Sequence, residues 1–339
     1  MAKIVSPKKE FVNSPDQKSP LWRLVFFGTP DFADIILQAL LKNPSYELVA
    51  VVTAPDHPKN RGQQIVPSPV KITAQNQSIK ILQPERIKGD GKFAQELKSL
   101  EADVFLTAAY GQILPQEILA IPRFGCLNVH GSLLPKYRGP SPINAVILNG
   151  EKKTGVSIIL MNTKMDAGPI ILKKEIAIAP QETAQTLHDK LADLGAAAAL
   201  ESLDLWLTAK NLPDEIVAPL RLEEQDESKA TYTKILTKQD GQIDWGKDAV
   251  FVERQLRAFY PWPGSFSKVA DKTFKIISAD VLGTTDKKTG EIFLAANRLA
   301  VACGQGALLI NQIQPEGKRV LTGQEFINGY GRLIGMVFE

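Results

Sequence analysis

The side chains best suited to chemistry in this chain stand two apart. They are Asn128 and His130, in the stretch Leu127-Asn128-Val129-His130-Gly131-Ser132-Leu133-Leu134-Pro135-Lys136-Tyr137-Arg138-Gly139. The run Gly125 to His130 (GCLNVH) reads as a strand, so both side chains face the same way, roughly 6–7 Å apart. A polar pair before a glycine, at the carboxyl end of a strand, lies where open parallel sheets place their sites. An imidazole moves protons near neutral pH. An amide NH2 beside it can donate to a developing oxyanion. The combination suits acyl transfer without a metal. The competing reading is a histidine bonded to backbone and an asparagine in a turn.

Such an imidazole needs a carboxylate to fix its tautomer and to stabilise its cation. Asp166, in Lys164-Met165-Asp166-Ala167-Gly168-Pro169, lies in a turn between two expected strands and is the best candidate. Residue type and spacing do not select it over Asp31 or Asp103. His57 sits in a polar loop and His188 on a helix, where solvation or packing explains them. Cys126 lies within a strand, as a buried and inert thiol should.

The elements that must hold these groups follow from the hydrophobic pattern. Leu21 to Phe27 is an apolar strand, Asp31 caps a helix through Leu41, and Glu47 to Thr53 is a second apolar strand. This order makes a βαβ unit with parallel pairing. Residues 54–69 form a Pro-rich polar loop. Ile79–Leu82, Val104–Ala108 and Gly125–His130 continue the strands, with a helix over Lys92–Leu100. Ser141-Pro142 opens a helix with Ser as cap. Thr154–Met161 and Pro169–Ile178 are two strands joined by a turn, and Thr186–Lys210 is a long helix. After the acidic, Pro-bearing residues 211–228, a helix near 248–258 and short strands at 272–279, 290–295, 298–303 and 306–313 suggest a small barrel or sandwich.

The divisions expected are therefore a disordered extension at 1–20, an α/β catalytic domain at 21–210, a linker at 211–228 and a small β domain at 229–339. With 339 residues, 44% hydrophobic and 23% charged, the chain suits two globular domains. Net charge is +3, from 40 Lys+Arg and 37 Asp+Glu, and the excess of positive charge falls in the second domain. Two cysteines exclude a disulfide framework and, with three histidines, a Cys-rich zinc site. No apolar run approaches a membrane span. The first strand is followed by Gly28-Thr29-Pro30-Asp31-Phe32-Ala33, with one glycine, which excludes the ordinary dinucleotide fingerprint; no P-loop or G-x-S-x-G elbow occurs. A cytoplasmic location and a monomer are expected.

The segments FFGTPDFA (26–33), PDHPKNRG (55–62), PSPVK (67–71), AAYGQILP (108–115), NVHGSLLPKYRG (128–139), TGVSIILM (154–161), MDAGPI (165–170), IDW (243–245) and RAFYPWPGSF (257–266) together resemble the methionyl-tRNA formyltransferase family. The resemblance runs over about 21–320, in the family's order. It implies a doubly wound, mostly parallel α/β sheet of the formyltransferase fold, followed by a small OB-like β-barrel that holds tRNA. It implies 10-formyltetrahydrofolate as formyl donor, initiator methionyl-tRNA as acceptor, and no metal. The family's catalytic residues fall on Asn128, His130 and Asp166, its folate-contacting residues on Ser132, Leu133, Leu134 and Pro135, and its tRNA-probing arginine on Arg61. In the basic domain Arg254 and Arg257, three apart on a helix, and Lys268, with Lys272 and Lys275 nearby, are expected at tRNA phosphates. Gly139-Pro140-Ser141-Pro142 departs from the family, which carries two alanines before the proline. A sugar-nucleotide N-formyltransferase or a folate hydrolase would share the same three residues. A noncatalytic RNA-binding module would leave them unexplained.

Overall fold

The computed structural model describes residues 21–59, 64–211 and 220–339. Residues 1–20 and Arg61 lie outside the described residues. The first domain is built on a seven-stranded sheet. Its elements are β1 (Trp22–Gly28), α1 (Asp31–Leu41), β2 (Tyr46–Val52), a small hairpin of β3 (His57–Lys59) and β4 (Gln64–Val66), α2 (Pro69–Asn76), β5 (Ile81–Leu82), α3 (Gly91–Ser99), β6 (Val104–Ala108), α4 (Gln116–Leu119), β7 (Cys126–His130), α5 (Pro142–Leu148), β8 (Lys153–Leu160), β9 (Ile170–Ala177) and α6 (Ala184–Asn211). The strand order is β5-β2-β1-β6-β7-β8-β9. The first five run parallel; β8 and β9 are antiparallel to their neighbours.

Alternation along β1 explains the two layers. Leu24 and Phe26 face α1 and α6, while Val25 and Phe27 face α3 and α4, and all four are fully buried. Strands apolar on both sides require this arrangement, since each face must be covered by helices. Chain order turns back at β1, which pairs with β2 on one side and β6 on the other, so the carboxyl ends of β1, β6 and β7 open onto one crevice.

Three local expectations need correction. Pro30 is the N-cap of α1; Asp31 is its first residue, where its charge suits the helix dipole. Ser141 stands at the N-cap of α5 but its side chain makes no capping bond. The cap of that kind occurs at α2 instead, where Ser68 Oγ accepts from the Lys71 amide at 3.1 Å and Pro69 begins the helix. The loop expected over 54–69 thus contains the β3–β4 hairpin and the start of α2.

The second domain contains α7 (Ala249–Ala258), β10 (Ser265–Val269), β11 (Lys272–Leu282), β12 (Ile292–Ala295), β13 (Arg298–Ala302), β14 (Ala307–Pro315), β15 (Leu321–Thr322) and α8 (Gly323–Tyr330). Its six strands form one antiparallel sheet, β10-β11-β14-β13-β12, with β15 beside β14. Phe274, Phe326, Trp245 and Phe338 fill its core. Between the domains, residues 220–236 form a strap across the first domain, with Leu220, Leu222 and Leu236 packed on its core. The strap is bridged to β9 through Ile170 and Glu223, and to the loop after β7 through Arg138 and Tyr232. Helix α7 packs on α5, and Asn144 Nδ2 donates to the Ala258 carbonyl at 2.7 Å.

Candidate active site

Asn128 and His130 leave β7 on one face, opposite Leu127 and Val129, which enter the core under α6. His130 is buried and Asn128 half-buried. Both meet Asp166, in the turn between β8 and β9. Asn128 Nδ2 donates to Asp166 Oδ1 at 3.3 Å, and His130 Nδ1 lies 3.6 Å from Asp166 Oδ2. The other two candidate carboxylates are elsewhere. Asp31 lies 3.4 Å from His188 Nε2, and Asp103 accepts from the Arg23 amide at the opposite end of the sheet.

Each polar group here has its direction set by a partner. Thr107 Oγ1, beside Asn128 in the β6–β7 register, donates to Asn128 Oδ1 at 2.6 Å. The oxygen of the amide therefore faces the hydroxyl, and its NH2 faces the carboxylate and the crevice. His130 Nε2–H donates to the Tyr137 carbonyl at 2.9 Å. A carbonyl only accepts, so the proton of the neutral ring sits on Nε2 and Nδ1 is the atom open to proton exchange. A proton on Nδ1 gives a cation that faces the Asp166 carboxylate. The Tyr137 end is held as well. Its hydroxyl donates to Glu151 Oε1 at 2.7 Å, and burial together with that bond pushes the phenol up to about 12.

Asp166 Oδ2 also accepts from the Gly139 amide at 2.8 Å. Gly139 has φ +105, and a Cβ there would lie 2.8 Å from the Thr233 carbonyl, so glycine alone lets loop, carboxylate and strap approach. Asp166 itself sits in the left-handed region, φ +49, which aspartate adopts more readily than most side chains and which suits a tight turn.

Of the segment 132–135, Ser132 and Leu134 turn inward. Ser132 Oγ donates to the Lys136 carbonyl at 2.7 Å, and Leu134 packs on Ile159 and Ile170. Leu133 and Pro135 are half-buried. Both Ser132 and Leu134 are buried, and Ser157 Oγ ties them together by accepting from the Leu134 amide at 3.0 Å and donating to the Ser132 carbonyl at 2.8 Å.

The cationic candidates of the second domain divide. Arg257 Nε donates to Glu253 Oε1 at 2.6 Å and its Nη1 to the Glu182 carbonyl at 3.0 Å, which engages the guanidinium at the domain junction. Arg254 lies over Gly150, where an added Cβ would fall 2.4 Å from its Cζ. Lys268, Lys272 and Lys275 are exposed on β10 and β11.

Residue type and spacing had not marked Thr107, Arg138 or Gln225. Thr107 carried one signal, a hydroxyl inside the apolar run VFLTA. Arg138 was visible in the motif without a role, and Gln225 lay unmarked among acids. Arg138 is 1% exposed, yet all five of its N–H groups are engaged, by Gln225 Oε1, both carboxylate oxygens of Glu227 and the Tyr232 hydroxyl. The Glu227 carboxylate holds the guanidinium above its ordinary value and is itself lowered by it.

Among the described residues no group of three or more His, Cys, Asp and Glu side chains is placed to hold a metal ion. No described helix is long and apolar enough to cross a membrane. The family model described as formyl transferase matches residues 22–203, and that described as formyl transferase, C-terminal domain, matches 235–331. The chain is 43% identical over 318 residues to a methionyl-tRNA formyltransferase of Caldanaerobacter subterraneus, covering 94% of this chain and 100% of that one. It is 41% identical over 308 residues to one of Geobacter sulfurreducens, covering 91% and 94%. Among solved structures it superposes on WlaRD, a sugar 3N-formyl transferase, with TM-score 0.61 and 19% identity over 88% of this chain and 100% of that one. HypX from Aquifex aeolicus, in complex with tetrahydrofolic acid, gives 0.58 and 18% over 94% and 48%. The doubly wound sheet with a separate antiparallel domain is the fold that these likenesses share with it. With relatives this similar along nearly its whole length, the chain belongs to the methionyl-tRNA formyltransferase family.

Proposed function

We propose that the chain transfers a formyl group from 10-formyltetrahydrofolate to the α-amine of methionine on initiator methionyl-tRNA, acting as a cytoplasmic monomer in translation initiation. The observation that carries the chemistry is the meeting of Asn128, His130 and Asp166 at the carboxyl end of β7. The site fits a formyl donor: it has a directed amide N–H, a proton-exchanging imidazole nitrogen and half-buried Leu133 and Pro135 at its rim. The donor supplies an electrophilic formyl carbon. Asn128 Nδ2 donates to the carbonyl oxygen as it gains negative charge, which is worth about 3–4 kcal/mol for donors of this kind. The acceptor amine bonds to the formyl carbon, and the bond from that carbon to the folate nitrogen breaks. His130 Nδ1 takes the proton that the amine loses and passes it to the departing nitrogen, with Asp166 stabilising the cation between.

The acceptor reading is supported by the relatives' names and by the exposed lysines of the second domain. Arg61, Arg254 and Lys268 belong to that proposed tRNA surface, with Ser132, Leu133, Leu134 and Pro135 on the folate side. The test is release of tetrahydrofolate from the 10-formyl donor with charged initiator tRNA, with an amino-sugar nucleotide, or with neither. Release that needs charged tRNA supports the proposal. Release with the sugar nucleotide alone makes the chain a sugar N-formyltransferase, and release with neither makes it a hydrolase.

A further inference from the structure

The strap between the domains carries a side chain whose whole hydrogen-bonding capacity is used at the site. Gln225 Nε2 donates to the Asp166 carbonyl at 2.8 Å and to the Gly168 carbonyl at 2.7 Å. Its Oε1 accepts from Arg138 Nε at 3.0 Å and from Arg138 Nη2 at 2.8 Å. An amide offers two donors and two lone pairs, and all four are engaged.

These bonds join two loops that are far apart in sequence. Arg138 ends the loop that carries the Tyr137 carbonyl, the acceptor for His130, and Asp166 carries the carboxylate. The neighbouring Gly139 amide binds that carboxylate directly. Gly168 admits no substitute, since a Cβ there would stand 1.8 Å from the Leu160 carbonyl. The turn is thus pressed against β8 on one side and held from the other by Gln225.

We propose that Gln225 is a positioning residue for Asp166. Acting through the turn carbonyls, it holds the carboxylate in register with Asn128 and His130, and with Arg138 it makes the strap a working part of the site. This rests on the catalytic reading of Asp166 given above. Misplacement of a reacting group by about 1 Å can cost about 100-fold in rate, and the loss of two restraints on one turn is expected to cost about 10- to 100-fold in kcat. KM for donor and acceptor should stay within about twofold, because Gln225 faces the turn carbonyls and Arg138.

The experiment is a cycle of Gln225→Leu, Asp166→Asn and the double variant, each measured for kcat, KM and Tm. If Gln225 acts through Asp166, the kcat loss seen in Gln225→Leu shrinks to about twofold or less when Asp166→Asn is already present. An equal loss in both backgrounds, or a parental kcat in Gln225→Leu, overturns the proposal while leaving the catalytic reading intact. A parental kcat in Asp166→Asn alone overturns the catalytic reading, and the proposal with it. Gln225→Glu keeps the acceptor for Arg138 and replaces the donors to the turn by an oxygen that repels the Asp166 and Gly168 carbonyls. It should lower kcat at least as far as Gln225→Leu does, and a parental kcat in this variant also overturns the proposal.

Discussion

The hydroxyl of Thr107 and the amide oxygen of Asn128 lie 2.6 Å apart across the β6–β7 pair. This bond decides which end of the amide faces the crevice. Thr107→Val keeps the shape of the buried site and removes the donor, leaving Asn128 Oδ1 without its partner. The amide is then held only by its bond to Asp166, and kcat should fall about 10-fold, part of the about 3–4 kcal/mol that one oxyanion donor is worth when fully lost. Steady-state rates with Tm in parallel check this. An unchanged kcat would show that the orientation of Asn128 is immaterial.

At Asn128 itself the sign of the substitution matters. Asn128→Asp puts a second carboxylate against Asp166, where negative charge must also form on the reacting oxygen. It should be slower than Asn128→Ala. A faster Asp variant would remove the oxyanion role.

His130→Ala should lower turnover by about 100-fold or more, in line with typical acid–base contributions. Asp166→Asn should do similar damage by removing the charge that faces Nδ1. Folate affinity, measured by fluorescence quenching on addition of donor, should survive in both. A folded His130→Ala protein with near-parental turnover excludes the proton role.

Glu182 ties stability to pH. Burial raises its carboxyl, but the bonds from Lys190 Nζ at 2.6 Å and Thr186 Oγ1 at 2.5 Å, with the lysine charge, outweigh burial and leave it below the ordinary value of 4.5. A lowered folded pKa contributes stability that is present above the unfolded value and is lost as pH falls through the folded one. Lys190→Met should therefore lower Tm at pH 7, and the gap from the parent should narrow below about pH 4.5. A gap that is constant with pH would mean that the pair contributes no charge-dependent stability.

The two thiols should be silent in the folded protein. Burial pushes Cys126 and Cys303 each up to about 12, so the thiolate, the nucleophilic form, is scarce at pH 8. Mass spectrometry after iodoacetamide should find both unmodified without denaturant and both alkylated in it. Rapid labelling of native Cys126 would contradict its burial against the Leu119 carbonyl.

Much of the first domain was legible because its strands are apolar on both faces and its signals are local. β7, its glycine turn and the shared face of Asn128 and His130 followed from period-two geometry alone. The choice of Asp166 over Asp31 and Asp103 did not, because which loop reaches β7 is settled by the antiparallel β8–β9 pair, a tertiary fact. Arg257 looked like a surface cation because helical spacing places it on a face without saying that the face meets the first domain. The strap read as a linker because Gln225 and Glu227 sit among charges that resemble solvated chain. Nothing local marks a glutamine whose partners lie 57 to 87 positions away.

That distance has a consequence in time. During synthesis the chain emerges in order, and Gln225 follows Asp166 by 59 positions. At about 5–20 residues per second, the turn carbonyls wait roughly 3–12 s for their partner. A nascent chain ending at Asn211 carries the residues of the sheet and the three polar groups but not the strap, whose Leu220, Leu222 and Leu236 pack on that core. Stalled chains released at residue 211 and at residue 260 should differ in turnover on a minimal methionyl ester, the shorter being slower. Full turnover is therefore expected only once translation has passed the strap.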